Sequence, residues 1–192
     1  MNYKILDEQY TYNGFLKIKR ATIKHDTFGG KEPMEITRES MERGDSVAIL
    51  IFEKDTDSFL FIKQFRYPTI ETGSGWTTEL VAGVLEENEE PESCAMREID
   101  EEIGYDVDKL EFVSTFYTSP GGTSERIFLY YAEVNLSDQT RPGGGIDSED
   151  IQLIRIEKEE VRKLLEENLI NDAKTLVGVQ YYFLRNSRTT SL

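Results

Sequence analysis

The chain has 192 residues, of which 31% are charged and 38% are hydrophobic, the balance of a globular protein with a core of its own. Acidic residues outnumber basic ones by 37 to 22, giving a formal net charge of −15. This negative charge argues against nucleic-acid or anionic-membrane partners, which need clustered basic residues. The chain has one cysteine and one histidine, which argues against internal disulfides, multi-cysteine zinc sites and histidine-based catalytic sets.

Strands are predicted along the first half of the chain. Short alternating segments in residues 1–45, with a turn at Gly29-Gly30, predict half-buried strands. Two apolar runs, Val47–Phe52 and Phe59–Ile62, flank a polar turn and predict a hairpin in the core. A further strand is predicted from Thr77 to Ala82.

A helix is predicted from Pro91 to Ile103, because proline suits the first helical turn and Gly104 suits the position just past the end. Strands are then predicted at Leu110–Tyr117, at Ile127–Val134 and near Ile151–Ile156. Two helices close the chain: an amphipathic one carrying Val161, Leu164, Leu165 and Leu169, and a last one from about Ala173 to Leu184. This inventory predicts a mixed α/β or α+β fold.

We expect a cytoplasmic protein. The longest apolar run is too short to span a bilayer, and Met1–Lys4 lack the charged-then-apolar layout of a signal peptide. A lone thiol, Cys94, fits a reducing compartment.

Three glutamates of the predicted helix, Glu98, Glu101 and Glu102, share one helix face. Like charges at this spacing destabilise a helix, and Arg97, four residues before Glu101, can offset part of the repulsion. A divalent cation would accommodate the rest, because clustered carboxylates suit Mg²⁺ or Mn²⁺. A solvated acidic face is the alternative interpretation.

The spacing around these glutamates favours the metal interpretation. It follows G-x5-E-x7-R-E-U-x-E-E-x-G-U, where U is a bulky apolar residue, with the aromatic Tyr105 in the last position. The fixed residues are Gly83, Glu89, Arg97, Glu98, Glu101, Glu102 and Gly104. This is the Nudix box, and the chain resembles the Nudix hydrolases.

The resemblance implies an α/β/α sandwich around a mixed sheet, preceded here by N-terminal antiparallel strands. It also implies hydrolysis, with Mg²⁺ or Mn²⁺, of nucleoside diphosphates linked to another group. Metal binding would fall to Glu98, Glu102 and the Ala82 carbonyl group, with Glu101 binding or positioning the metal and Arg97 orienting the glutamates. Gly83 would supply a turn that exposes the Ala82 carbonyl, and Glu89 would be a structural or metal-tuning residue.

Two further segments resemble the ADP-ribose pyrophosphatases. Ser119–Arg126 matches their motif downstream of the box and implies substrate contacts from Gly122, Thr123 and Glu125, although a Pro-Gly turn alone would explain part of it. Arg66 follows a core strand, as in the hydrolases of ADP-ribose and sugar nucleotides. It would clamp the pyrophosphate by two hydrogen bonds, and a surface ion pair is the alternative.

The glycine-rich segment from Gly143 to Ile151 resembles the catalytic loop of the same subgroup. Glu149 is our first candidate for the general base or an additional metal ligand, and Asp147 is the second. A solvated acidic loop is the alternative interpretation.

The N-terminal part resembles this subgroup more loosely. Arg38 and Glu39 resemble a charged pair that holds the nucleobase, in relatives from the partner subunit. The resemblance therefore implies a homodimer that exchanges its N-terminal strand region (residues 1–45), with a Nudix hydrolase domain over residues 46–192.

The substrate is left between two nucleoside diphosphate sugars. Residues 123–126 favour ADP-ribose, whereas the glycine-rich segment favours GDP-mannose; either would give a nucleoside monophosphate and a sugar phosphate. A non-catalytic nucleotide-sugar sensor is the rival from another class, although sensors built on this fold generally lose box glutamates. A four-cysteine zinc site, frequent in NADH pyrophosphatases, is impossible with one cysteine.

Overall fold

The computed structural model describes residues 1–146 and 149–189. Asp147, the second candidate base, lies outside the described residues. The chain divides into two compact units. The first unit comprises Met1–Asp45 and Tyr117–Arg126, and the second comprises the other described residues.

The first unit is built on a three-stranded antiparallel sheet. Its strands, in spatial order, are β1 (Tyr3–Asn13), β2 (Lys17–His25) and β3 (Met34–Glu42). The predicted Gly29-Gly30 turn is confirmed as a short 3₁₀ turn between β2 and β3, with Gly29 at φ 77°. Every residue of β1 is exposed to solvent.

A seven-stranded mixed sheet forms the framework of the second unit. Its strands are β4 (Ser46–Glu53), β5 (Ser58–Phe65), β6 (Trp76–Glu79), β7 (Val81–Val84), β8 (Leu110–Tyr117), β9 (Arg126–Val134) and β10 (Gln152–Glu157). The main path runs β10-β5-β4-β9-β8, with β6 paired to β5 and β7 paired to β4. Strands β4 and β9 are parallel, whereas β4 and β5 form the predicted antiparallel hairpin.

Helices cover both faces of this sheet. They are α1 (Pro91–Ile103), α2 (Lys158–Glu166) and α3 (Ala173–Thr189). Because side chains alternate along a strand, β4 feeds two cores: Val47, Ile49 and Ile51 join the α1 side, whereas Ala48, Leu50 and Phe52 join Val161 of α2 and Val179 of α3. The predicted α/β/α sandwich with a mixed sheet is confirmed.

Local signals predicted some boundaries well and missed others. The bounds of α1 are confirmed, and Gly104 adopts the left-handed conformation (φ 70°) expected past a helix end. The predicted strand from Thr77 to Ala82 is wrong as one element. It breaks at Leu80, whose amide donates a hydrogen bond of 3.0 Å to the Thr175 hydroxyl.

No helix among the described residues has the length and apolar character needed to cross a membrane.

A buried ionic cluster joins Tyr105, two residues past the end of α1, to β4 and to the edge strand β10. The fully buried Glu53 accepts hydrogen bonds from the Tyr105 hydroxyl at 2.5 Å and from Arg155 Nε at 2.9 Å. Burial by itself would raise the pKa of Glu53, but these donors and the Thr56 hydroxyl hold it below its usual range. Tyr105 therefore has a structural role at the end of the acidic motif.

We expect Tyr105→Phe to lower the free energy of unfolding by roughly 2 kcal/mol, since it removes a hydrogen bond to a buried charge. Urea unfolding monitored by circular dichroism measures this loss. Tyr117→Phe is a matched control because Tyr117 is 57% exposed. Equal stability of the Tyr105 variant and wild type would contradict the structural role.

Candidate active site

The candidate site forms where α1 packs against β7. The Gly83 Cα lies so close to Glu98 that a β-carbon there would fall 1.8 Å from Glu98 Oε1. Gly83 belongs to strand β7. The turn that the resemblance implied is therefore wrong, and the glycine instead permits the close approach of a carboxylate.

Two glutamates one helical turn apart are both buried. Glu98 retains 9% of its exposed surface and Glu102 retains 2%, and Glu102 Oε2 accepts a hydrogen bond of 3.0 Å from the Ala82 amide. Burial is the largest cause that raises the pKa of both groups, and the charges of neighbouring carboxylates, including Glu149, raise it further. The pKa of Glu102 lies well above its usual range. Unless a cation lies between them, two buried carboxylates this close repel each other and cost stability.

Arg97 holds three carboxylates of the predicted motif together. Its Nε and Nη2 atoms donate to Glu89 at 2.9 and 3.0 Å, and its Nη1 atom donates to Glu98 at 2.7 Å and to Glu101 at 3.1 Å. The Arg97 guanidinium lowers the pKa of Glu89 to about 2. Arg97 therefore orients Glu98 and Glu101, and Glu89 fixes Arg97 in turn.

The donor set fits a hard divalent cation in its chemistry. Carboxylate oxygens are the ligands that Mg²⁺ and Mn²⁺ prefer, and Glu98 and Glu102 are carboxylates buried side by side against the Gly83 backbone. Over residues 1–146 and 149–189, however, no three acidic, cysteine or histidine side chains converge into a ready-made ligand set. The buried pair would bind the cation, and other ligands would have to move toward it.

Arg66 follows β5 and forms a two-pronged ion pair with a buried carboxylate. Its Nε and Nη2 atoms donate to Glu79 at 2.9 and 3.1 Å, while 39% of the Arg66 side chain stays exposed. Its Nη1 atom has no hydrogen-bond partner among the described residues. The guanidinium is therefore oriented by Glu79 and retains a donor for a further anion.

A second cationic side chain, Lys174, also pairs with Glu79, and sequence reasoning missed it. Lys174 lies in the first turn of α3, and its Nζ atom bonds Glu79 at 2.5 Å and Asp172 at 3.0 Å. A lysine in the first turn opposes the helix dipole. That local mismatch was the signal that could have marked Lys174 as held by tertiary contacts.

The Glu79 cluster predicts a specific pH dependence of stability. Burial would raise the pKa of Glu79, but hydrogen bonds and charges from Arg66 and Lys174, with the Thr77 hydroxyl, lower it to about 2. Since this folded-state pKa lies below the ordinary 4.5, the stabilisation is complete above pH 4.5 and is lost as the pH falls toward 2. The shift corresponds to roughly 3 kcal/mol.

We therefore expect Glu79→Gln to destabilise the protein by roughly 3 kcal/mol at pH 7 and by progressively less below pH 4.5. Urea unfolding at pH 7, 5 and 4 measures the difference. Glu157→Gln, at an exposed strand end, controls for a general effect of charge. A difference between wild type and the Glu79 variant that stays constant over this range would contradict the assignment.

The other substrate candidates belong to the first unit. Thr123 is buried, and its hydroxyl donates to the Met41 carbonyl at 2.9 Å, while Gly122 accepts from the Met41 amide at 2.8 Å. Glu125 accepts a hydrogen bond of 3.1 Å from the Thr118 hydroxyl. Arg38 and Glu39 lie on β3, and both are exposed.

Comparisons with known proteins decide the family. The NUDIX domain model matches residues 42–177. The chain belongs to the Nudix family. Three relatives agree with this Nudix assignment. An ADP-ribose pyrophosphatase of Haemophilus influenzae is 34% identical, over 93% of this chain and 84% of the relative. A GDP-mannose pyrophosphatase of Cronobacter sakazakii is 32% identical, over 96% and 97%. An ADP-ribose pyrophosphatase of Escherichia coli K12 is 32% identical, over 95% and 88%.

A solved structure supports the Nudix fold independently. The crystal structure of an ADP compounds hydrolase superposes with a TM-score of 0.75 and 18% identity, covering 99% of this chain and 96% of that one. At that identity the likeness speaks for the fold alone. The resemblance stated from the sequence, to Nudix hydrolases of the ADP-ribose and GDP-mannose subgroup, is confirmed by the family match and the relatives.

Proposed function

We propose that this Nudix protein hydrolyses the pyrophosphate bond of a nucleoside diphosphate sugar, with ADP-ribose as the favoured substrate and Mg²⁺ as the cation. The observation that carries the proposal is the buried pair Glu98 and Glu102. Glu98 is paired with Arg97, whereas Glu102 forms no ion pair among the described residues and accepts a hydrogen bond only from the Ala82 amide. The relatives named ADP-ribose pyrophosphatase and GDP-mannose pyrophosphatase support the substrate class.

The substrate carries negative charge, and so does this protein, with its formal net charge of −15. Glu98 and Glu102 would hold the cation, with Glu101, Glu149 and the Ala82 carbonyl as further ligands. When bound, the cation would neutralise charge on the pyrophosphate and polarise a phosphoryl oxygen, which would make the phosphorus more open to attack by water. Arg97 keeps Glu98 and Glu101 oriented through its hydrogen bonds.

Two residues of this chain would act on the reacting groups directly. Glu149 would take the proton of the attacking water as general base, and Asp147 is the alternative. Arg66 would bind the pyrophosphate through its free Nη1 donor while Glu79 fixes its plane. Arg66 does form an ion pair, with Glu79, and in our proposal this pair holds the guanidinium in the orientation that the clamp needs.

A substrate panel tests the proposal. The purified protein is incubated with Mg²⁺ and ADP-ribose, GDP-mannose, other sugar nucleotides or NADH, and a phosphatase reports the monoester products. We expect ADP-ribose to give the highest kcat/KM. A clear lead for GDP-mannose would select the second candidate, which the Cronobacter sakazakii relative favours. No turnover of any substrate with Mg²⁺ or Mn²⁺ would contradict an enzymatic role and favour a nucleotide-sugar sensor.

We also propose that the protein acts in the cytoplasm as a homodimer that exchanges its N-terminal strands. Arg38 and Glu39 would then bind the nucleobase in the site of the other copy. Large exposed side chains on β1 support this: Tyr3, Tyr10 and Tyr12 expose 75%, 54% and 59% of their surface. Contiguous exposed apolar surface is typical of protein–protein interfaces.

Mixing two inactive variants tests the composite site. Arg38→Ala should damage one part of the site and Glu102→Gln the other. If each site draws on both copies, a mixed dimer contains one site with neither defect, and mixing should restore activity. A molar mass of one chain in light scattering, or mixtures as inactive as the separate variants, would contradict the exchanged dimer.

A further inference from the structure

An ion pair of two half-exposed side chains joins Arg141, two residues before the glycine-rich segment, to Asp100 of α1. Arg141 donates from Nε to Asp100 Oδ1 at 2.8 Å and from Nη2 to Oδ2 at 2.6 Å. Their side chains are 46% and 51% exposed, and pairs this exposed contribute little to global stability. The two-pronged geometry nevertheless fixes the relative orientation of the groups that it joins.

The backbone next to Arg141 is fitted closely to the end of α1. The amides of Thr140 and Arg141 donate to the Gly104 carbonyl at 2.8 and 3.2 Å. A β-carbon on Gly104 would lie 2.1 Å from the Arg141 carbonyl oxygen. The ion pair thus forms where the loop and the helix end already touch.

The glycines that follow supply hydrogen bonds to the last turn of α1. The amides of Gly144 and Gly145 donate to the carbonyl groups of Glu102 and Glu101 at 2.9 and 3.1 Å. The last carbonyl groups of a helix have no partner within the helix, so this loop serves as their cap. Gly143, Gly144 and Gly145 all have positive φ angles, which other residues rarely adopt.

Glu149 is tethered to the same glycines. Its amide donates to the Ile146 carbonyl at 3.0 Å, and its Oε2 atom accepts from the Ile146 amide at 3.2 Å. A β-carbon on Gly145 would lie 2.7 Å from the Glu149 Cβ atom, and the Ile151 amide donates to the Gly144 carbonyl. The position of Glu149 is therefore set by a loop whose own position is set on α1.

We propose that the Asp100–Arg141 ion pair is a positioning device that holds the segment Arg141–Ile146, and through Ile146 also Glu149, on the helix that carries Glu98 and Glu102. Both residues act through Glu149 and neither touches substrate. The inference rests on the proposed function, because the role of Glu149 in hydrolysis belongs to it. Asp100 is well placed for this role because it lies on the same helix as Glu98 and Glu102. Any shift of the loop relative to Asp100 is therefore also a shift of Glu149 relative to the two glutamates.

Steady-state kinetics with ADP-ribose and saturating Mg²⁺ measure the effect on turnover. Asp100→Ala and Arg141→Ala should each lower kcat about tenfold, as losses of supporting contacts do, with KM changed less than about twofold. The double variant should be no worse than either single one. The exchanged pair, Asp100→Arg with Arg141→Asp, should recover most of the activity.

Amide hydrogen exchange in the metal-free protein gives a second readout that does not depend on turnover. We expect Asp100→Ala to speed exchange at Gly144 and Gly145 by about tenfold, because their opening is local. Glu159→Ala is the matched control: it removes the exposed Arg162–Glu159 pair on α2 and should change neither exchange at the glycines nor kcat.

The outcomes separate this inference from the proposed function. Unchanged exchange at Gly144 and Gly145 in Asp100→Ala would overturn the anchoring. Full activity of Asp100→Ala while Glu149→Gln is inactive would overturn the positioning role alone. Full activity of Glu149→Gln would overturn the assigned role of Glu149 and the inference with it. Additive losses in the double variant would show that the two residues act separately, which also contradicts the proposal.

Discussion

Glu102→Gln is expected to lower kcat by about 10³-fold, since several kcal/mol of charge stabilisation in the transition state depend on a correctly held cation. The substitution keeps the shape of the side chain and an oxygen for the Ala82 amide, but it removes the charge. At the same time we expect the melting temperature of the metal-free variant to equal or exceed that of wild type. Glutamine relieves the repulsion between two buried carboxylates.

This combination of lost activity and retained stability is the diagnostic result. Phosphate release measures the first and calorimetry without added metal measures the second. Glu92→Gln makes the same chemical change at an exposed position of α1 and should leave kcat within about twofold of wild type. A Glu102 variant with wild-type turnover would show that Glu102 is not a metal ligand. A large fall in melting temperature would show that its role is structural.

Gly83→Ala should give the second-largest effect, a loss of about 10²-fold in kcat/KM, the cost of displacing a catalytic group by about 1 Å. The new methyl group would fall 1.8 Å from Glu98 Oε1 and 2.0 Å from Glu98 Cδ. The obstructed atoms are the end of a flexible side chain, so the backbone can keep its course and the carboxylate must move. We expect the melting temperature to fall by only a few degrees.

Gly73→Ala provides the matched control for this change. Its added methyl group would meet only the Thr69 carbonyl oxygen, at 3.3 Å, and we expect activity close to that of wild type. Metal titration followed by Mn²⁺ electron paramagnetic resonance then checks the cause in Gly83→Ala. Unchanged Mn²⁺ affinity and unchanged kcat/KM would contradict the close-approach role of Gly83.

The parts of the fold that were predictable from sequence are those set by neighbours along the chain. Pro91 marks the start of α1 because it lacks an amide hydrogen, and Gly104 marks the end because it adopts the left-handed conformation. Both effects act within a single helical turn. The hairpin of β4 and β5 follows from two apolar runs around a polar turn in the same way. The spacing of Glu98, Glu101 and Glu102 likewise predicted that these side chains share one helix face, and the structure places all three on α1.

What could not be predicted depends on contacts between distant residues. Thr175 accepts the hydrogen bond from Leu80 at the strand break, and Lys174 is the second cationic partner of Glu79. Each contact spans 95 positions of the chain. Gly83 shows the same limitation: its position in the motif was evident, but its purpose follows from where the Glu98 carboxylate lies. A single sequence carries no record of such distances.

The most direct measurement of the central claim is ³¹P nuclear magnetic resonance of ADP-ribose incubated with the protein, first without and then with Mg²⁺. The account predicts that the pyrophosphate signals persist until Mg²⁺ is added and then give way to two phosphomonoester signals, those of AMP and ribose 5-phosphate. With Glu102→Gln the pyrophosphate signals should persist throughout. The sample without Mg²⁺ contains a chelator. Cleavage by wild type in that sample at the rate seen with Mg²⁺ would contradict the account.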